Sequence, residues 1–218
     1  MRLLAFLLII LAQPLMGKNP WQLIKNEKGI KVYKKADPKS KLLVFKGTGV
    51  INKELVYVLA VLADVKSLHK WIETVKRVEI LEKRSNTELI TYTITKAPWP
   101  LKDRDSVALG RVTFDKKNKW VHIRSRETKH RKKPVVERYV RVPYLRARWS
   151  FTPVKNGKAT WAEFTVQADP GGIIPSWVVN WVSKNVPYNS IENLRKRLQQ
   201  GKFNPNFVEQ NKKYMKDW

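Results

Sequence analysis

The sequence contains no cysteine, so disulfides, thiolate metal sites and a thiol nucleophile are all excluded. Histidine is scarce. His69, His122 and His130 are widely spaced, and no two have the spacing with which a helix presents metal ligands. No G-x-S-x-G elbow is present, so no standard nucleophile motif remains. Acidic residues are few, 18 against 44 Lys and Arg, which leaves a net charge of +26. Long apolar runs are nearly absent. The one that exists, Leu3 to Ala12, is too short to span a bilayer as a helix. It follows a positive Met1-Arg2 and precedes Gln13 to Gly17, with Pro14 as a breaker. That is the pattern of a secretory signal over 1–17, with an uncleaved N-terminal anchor as the competing reading. The expectation is an exported protein, periplasmic or secreted, whose mature domain starts near Lys18.

What is present is one domain's worth of chain and a strong positive field. Such a field attracts anionic polymers or anionic lipid head groups. For an exported chain an anionic membrane surface is the expected partner, and nucleic acid is not expected. A monomer is expected.

The residues alternate over Gly29 to Lys34 and again over Lys41 to Ile51, where Gly47 and Gly49 suggest a bend or bulge. Asn52 is a candidate cap for a helix whose Leu55, Val58, Leu59, Leu62 and Val65 recur at helical spacing through Trp71. From Val78 the period changes to two. Strands are predicted at 78–83, 88–95, 106–114, 119–126, 138–151 and 159–168, with polar turns between them and a bulge at Pro143. In the last strand Thr160, Ala162, Phe164, Val166 and Ala168 make a dry face, and Trp161, Glu163, Thr165 and Gln167 a wet one.

DPGG, Asp169 to Gly172, is a turn that swings a final helix into place from about Pro175 to Gln200, ended by Gly201. Ile174, Trp177, Val178, Trp181, Val182, Tyr188, Ile191, Leu194 and Leu198 form its apolar stripe, and Pro187 is expected to kink it. Residues 202–218 read as a polar tail. The order is therefore α+β, one antiparallel sheet and a long C-terminal helix. A curved sheet gripping one helix either fills the gap with large side chains or leaves a cavity.

APWPLKDRDSV, Ala97 to Val107, resembles the PWP…RD segment of START domains, the steroidogenic acute regulatory protein-related lipid-transfer family. DPGGIIPSWVVN resembles that family's approach to its C-terminal helix. Trp21 with GIKVYKK, Asp64 with Trp71, Ile90 to Tyr92, and Tyr139-Val140-Arg141 fall in the same order. The resemblance covers about Trp21 to Leu198. It implies a helix-grip fold (START/Bet v 1-like), a curved antiparallel sheet around the C-terminal helix, over residues 18–201. It also implies a tunnel for one lipid, with no cofactor and no metal.

On that resemblance the lipid contacts fall to Trp71, Tyr92, Ile94, Trp99, Arg104, Asp105, Val107, Leu109, Trp149, Phe164, Val166, Trp177, Val178, Trp181 and Tyr188. Arg104 matches an arginine that meets the ligand's polar head in some members. In an apolar tunnel it needs a partner, and Asp105 or Asp103 is the candidate. Sterol-carrying members have a buried acid and an arginine where Thr93 and Gly110 stand here, while Arg111 should face the other way. A phospholipid or another amphipath is as open as a sterol. The basic stretch ending in Arg131, Lys132, Lys133, Pro134, Val135 and Val136 resembles the loop that gates the tunnel, and is expected to dock on membrane. Two alternatives stay open. One is a helix-grip enzyme, cyclase- or hydrolase-like, using Asp103 and Asp105. The other is a cationic polyanion binder without a ligand.

Overall fold

The structure is a computed structural model that describes residues 20–215, with the side chains of 176–184 outside the description. The signal-like segment therefore lies outside the described residues. Ten strands form one curved sheet: β1 (Gln22–Glu27), β2 (Ile30–Asp37), β3 (Ser40–Ile51), β4 (Val75–Lys83), β5 (Glu88–Thr95), β6 (Arg104–Asp115), β7 (Trp120–Glu127), β8 (Val140–Arg141), β9 (Tyr144–Val154) and β10 (Ala159–Asp169). Their order is β1-β2-β3-β10-β9-β7-β6-β5-β4. All neighbours on that path are antiparallel, and β8 adds a short parallel pair to β6. The predicted strand 138–151 is divided at Pro143 into β8 and β9, since proline cannot donate to the ladder.

Among the described residues three α-helices accompany the sheet: α1 (Leu55–Ala63), α2 (Ser176–Gln199) and α3 (Pro205–Lys212). Helix α1 starts after Glu54 rather than at Asn52, and gives way to a 3-10 turn, Val65–Lys70, instead of running to Trp71. It is apolar all round because two cores cover it from different sides. Leu55, Val58, Leu59 and Val61 join the main core, and Val56 and Ala60 meet Val208 of α3. Helix α3 lies in the segment expected to be a polar tail. Asn204 caps it by accepting from the Phe207 N–H at 3.3 Å, Pro205 opens it, and Phe203 stacks edge-on against Tyr57.

The register defines the two faces of the sheet. The row Val112, Ile123, Trp149, Phe164, Gly47, Val32 crosses six strands on one face, and Phe114, Val121, Phe151, Ala162, Gly49, Ile30 runs beside it. Helix α2 lies on this inner face, its Tyr188, Ile191, Leu194 and Leu198 packed into the cores there. Gly47 and Gly49 mark no bulge, for the register with β10 is continuous through both. They let the helix approach. A Cβ on Gly47 would sit 2.8 Å from the Pro187 carbonyl oxygen, and one on Gly49 would sit 3.0 Å from Arg195 Nη2. Arg195 fills that space by donating to the carbonyls of Val50 and Lys28.

Candidate functional site

Three loops converge at the end of the sheet where β6 begins. They are 96–103, 128–139 and 170–175. Lys102 Nζ donates to the Glu137 carbonyl at 3.1 Å, and the Val140 N–H donates to the Asp103 carbonyl at 3.0 Å. The DPGG turn sits against β8. Gly171 and Gly172 both have positive φ, and a Cβ on Gly171 would meet the Arg141 carbonyl and Val140 Cγ1 at 3.0 Å. The Gly171 N–H closes the turn on Asp169 Oδ1 at 2.8 Å.

Arg104 and Asp105 lie at this junction, both buried, on opposite faces. Arg104 shares the inner face with Val112, Gly110, Ala108 and Ser106, and its neighbours across to β5 are Thr95, Thr93 and Thr91. Its guanidinium donates to the carbonyls of Lys102 (2.6 Å), Pro170 (3.4 Å) and Gly171 (3.4 Å). Neither Asp105 nor Asp103 is its partner, contrary to the sequence expectation. Asp103 pairs with Lys76 and accepts from the Ala97 N–H at 3.1 Å. Burial raises the Asp103 carboxyl's pKa, but Lys76 and that N–H outweigh it and hold the group below the ordinary value. Among the described residues no carboxylate pairs with Arg104.

Asp105 faces out and meets Arg141 in a two-pronged pair, Nε to Oδ1 and Nη2 to Oδ2, both 2.8 Å. Arg141 also holds the carbonyls of Lys133 and Pro134 at 3.3 and 3.1 Å. The pair therefore pins loop 128–139 to the outer face. Lys133 completes the clamp, 2.7 Å from Glu79 and 4.6 Å over the Tyr92 ring. Burial, then Asp105, pushes the Tyr92 hydroxyl up to about 12.

The site residues named from sequence divide accordingly. Tyr92, Ile94, Val107 and Leu109 are buried, but in a second core with Leu81, Ile90 and Tyr139 under loop 128–139. By register that is the outer face, away from α2. Trp99 is not inside at all. It is 89% exposed at the tip of loop 96–103. Trp149 and Phe164 are inner-face neighbours with ring centroids 4.5 Å apart, and Val166 follows them on the same face. Trp71 packs into the main core, and its Nε1 has no partner among the described residues. Tyr188 lies between α2 and β2 with Ile30 and Val32. Trp177, Val178 and Trp181 lie outside the described side chains. Arg131, Lys132, Pro134, Val135 and Val136 are exposed on loop 128–139.

The polar residues of the inner face carry no motif that singles them out in the sequence. Thr91, Thr93, Thr95, Ser106 and Ser125 share the inner face with Arg104, and none is fully buried. The parity that leads back from Val112 was the available signal. Ile173, which no sequence pattern marks, is 95% exposed on loop 170–175.

The grip of a curved sheet on a C-terminal helix, with an unneutralised arginine on the gripping face, defines a helix-grip ligand-binding domain. The START domain family matches over residues 7–202, and the chain belongs to it. It is 32% identical over 193 residues to the phosphatidylcholine transfer protein of Bos taurus, covering 87% of this chain and 89% of that protein. The crystal structure of a STAR-related lipid transfer protein fragment from Xanthomonas axonopodis superposes with a TM-score of 0.74 at 28% identity, covering 82% of this chain and 98% of that one. The Zhui aromatase/cyclase of Streptomyces, at 15% identity and a TM-score of 0.50, covers 73% of this chain and 94% of that one, and shares the fold alone.

Proposed function

We propose that this domain binds a single phospholipid between the sheet and α2 and carries or presents it between membranes, as an exported protein of the periplasm or the medium. One observation carries the choice of ligand. Arg104 is 8% exposed on the helix-facing side, held by three carbonyls and no carboxylate. A buried guanidinium without a counter-anion is costly, and a phosphodiester is the anion it suits. The hydroxyls of Thr93 and Ser106 beside it serve the same head group. Trp149, Phe164, Val166 and Ile123 offer the acyl chains an apolar wall. The acid expected of a sterol carrier is Thr93 here, and Arg111 faces outward to Glu88. The similarity to phosphatidylcholine transfer protein supports the same class.

Each CH₂ of an acyl chain costs about 0.8 kcal/mol to expose to water, so a dry chamber removes most of the barrier to carrying a lipid. Delivery needs a membrane-facing mouth. Trp99, Ile173, Val135 and Val136 are exposed by 89, 95, 70 and 44%, all on the three converging loops. Lys96, Lys102, Lys129, Arg131 and Lys132 surround them in sequence. Apolar tips amid cations suit an anionic bilayer, each near-surface cation adding about 1 kcal/mol. Catalysis is not part of this reading. His69 bonds the Lys66 carbonyl, His122 bonds Ser150 on the outer face, and His130 meets Glu82, so the histidines form no constellation.

Native mass spectrometry of the protein purified from its host tests the proposal. A one-to-one complex with a glycerophospholipid is expected, weakened in Arg104→Met. Recovery of a sterol, or of protein that takes up no phosphatidylcholine from vesicles, would overturn it.

A further inference from the structure

The outer face of the sheet carries a row of cations that lipid binding does not use. Arg111, Arg124 and Arg148 stand directly opposite one another on β6, β7 and β9, and the row continues through Thr165 of β10 to Lys46 of β3. Arg126 and Arg146 form a second rung beside it. Four strand spacings make the row about 19 Å long. All five arginines are exposed. Like charges directly opposite destabilise a sheet, so this placement works against the fold.

Neutralisation is incomplete. Arg111 pairs with Glu88, Arg146 with Glu127, and Arg148 approaches Glu163 at 3.5 Å. Among the described residues no carboxylate pairs with Arg124 or Arg126, and Arg124 donates only to Thr113 Oγ1, at 3.1 Å. His122, next in the strand, is held below the ordinary histidine value by burial and then by Arg124 and Arg148, as expected beside an excess of positive charge. At the far end Lys46 and Lys35 lie over the Trp21 ring at 4.3 and 4.7 Å. They border a groove of about 410 Å³ that Arg148, Glu163 and Thr165 also line.

We propose that this face binds a linear phosphate-bearing polyanion, laid across the strands along Arg111, Arg124, Arg148 and Lys46, with Arg126 of the neighbouring rung also in contact. A flat bilayer would touch a convex sheet along its crest alone. The apolar anchors a bilayer favours, Trp99, Val135, Val136 and Ile173, all belong to the loop crown. A flexible chain of phosphates can follow the row and end in the groove.

Titration of the full chain with inorganic polyphosphate between about 50 and 200 mM salt tests this. The face variant Arg124→Gln/Arg126→Gln is compared with Arg131→Gln/Lys132→Gln, which removes equal charge from the crown. The face variant should bind about tenfold more weakly, with a salt slope lower by about 1.4, at roughly 0.7 per lost contact. The crown variant should bind within about threefold of the parent. Its thermal midpoint should not fall in the face variant, because like-charge pairs are being removed. Equal weakening in both variants would mean net charge without a site, and would overturn the proposal. So would a face variant that keeps polyphosphate but loses phosphatidylglycerol vesicles, which would make the face a bilayer surface. Phosphatidylcholine transfer between neutral vesicles should survive the face substitutions. Its absence in the parent would sink the lipid proposal alone.

Discussion

Arg104 and Asp105 are adjacent, both buried, and differently satisfied. Asp105 is 2% exposed and meets a guanidinium in two parallel bonds on the outer face. Among the described residues, Arg104 meets only backbone carbonyls on the inner face. The first is a finished structural pair that fastens a loop. The second is a charge whose local partners do not neutralise it. A strand's alternation thus puts a neutralised charge on one side of a single peptide bond and an unneutralised one on the other.

The comparison is broken most forcefully at Asp105. Asp105→Ala leaves a half-buried Arg141 beside its loop carbonyls without an anion, and breaking such a pair costs about 3 kcal/mol. A urea midpoint shift of that size is expected, and Asp105→Leu/Arg141→Met should recover much of it. A shift no larger than a surface substitution gives would remove Asp105 from its structural role. Gly47→Ala ranks next. Its Cβ would press on the Pro187 backbone at 2.8 Å, and overpacking of this kind costs about 1–3 kcal/mol. The helix seat is affected rather than the loop, so the loss should add to that of Asp105→Ala. Non-additivity in the double variant would show that the two regions are one unit. Arg104→Met should cost less, about 1 kcal/mol, since losing the guanidinium's bonds to three carbonyls is offset by removing a buried charge that no carboxylate neutralises. Its larger consequence should be weaker phosphatidylcholine uptake. A variant as unstable as Asp105→Ala with uptake intact would reverse the two roles.

The strands at 88–95 and 106–114 were legible because period two survives in them, but the face they present was not. Val107 and Leu109 are more apolar than Ser106, Ala108 and Gly110, so hydrophobicity alone turns the strand the wrong way. The outer face is dry only because loop 128–139 returns over it, fixed by a pair 36 residues apart in sequence. Nothing local encodes that cover. Arg104 was legible as a residue and not as a set of contacts, since its partners are carbonyls, which every sequence supplies. β1 was missed because QLIKNE alternates poorly. α3 was missed although Asn204-Pro205 is a start signal, because the lysines after it outweighed Phe207 and Val208. The DPGG turn was read correctly, since two positive-φ positions there admit little but glycine.

The smallest expected effect separates two contacts made by one side chain. Lys133 bonds Glu79 and also lies over the Tyr92 ring. The Lys133 hydrogen bond leads the causes that hold the Glu79 carboxyl below its usual value. A depressed carboxyl stabilises the fold fully above its unfolded pKa, near 4.3, and loses that contribution as pH falls through the folded value. The ring contact needs only the lysine's charge, which does not change in that range. Lys133→Met should therefore lower the urea midpoint at pH 7 and narrow the gap from the parent at pH 3 without closing it. The part that vanishes measures Glu79, and the part that persists measures Tyr92. A gap that widened toward acid would mean that Lys133 is not what keeps Glu79 ionised.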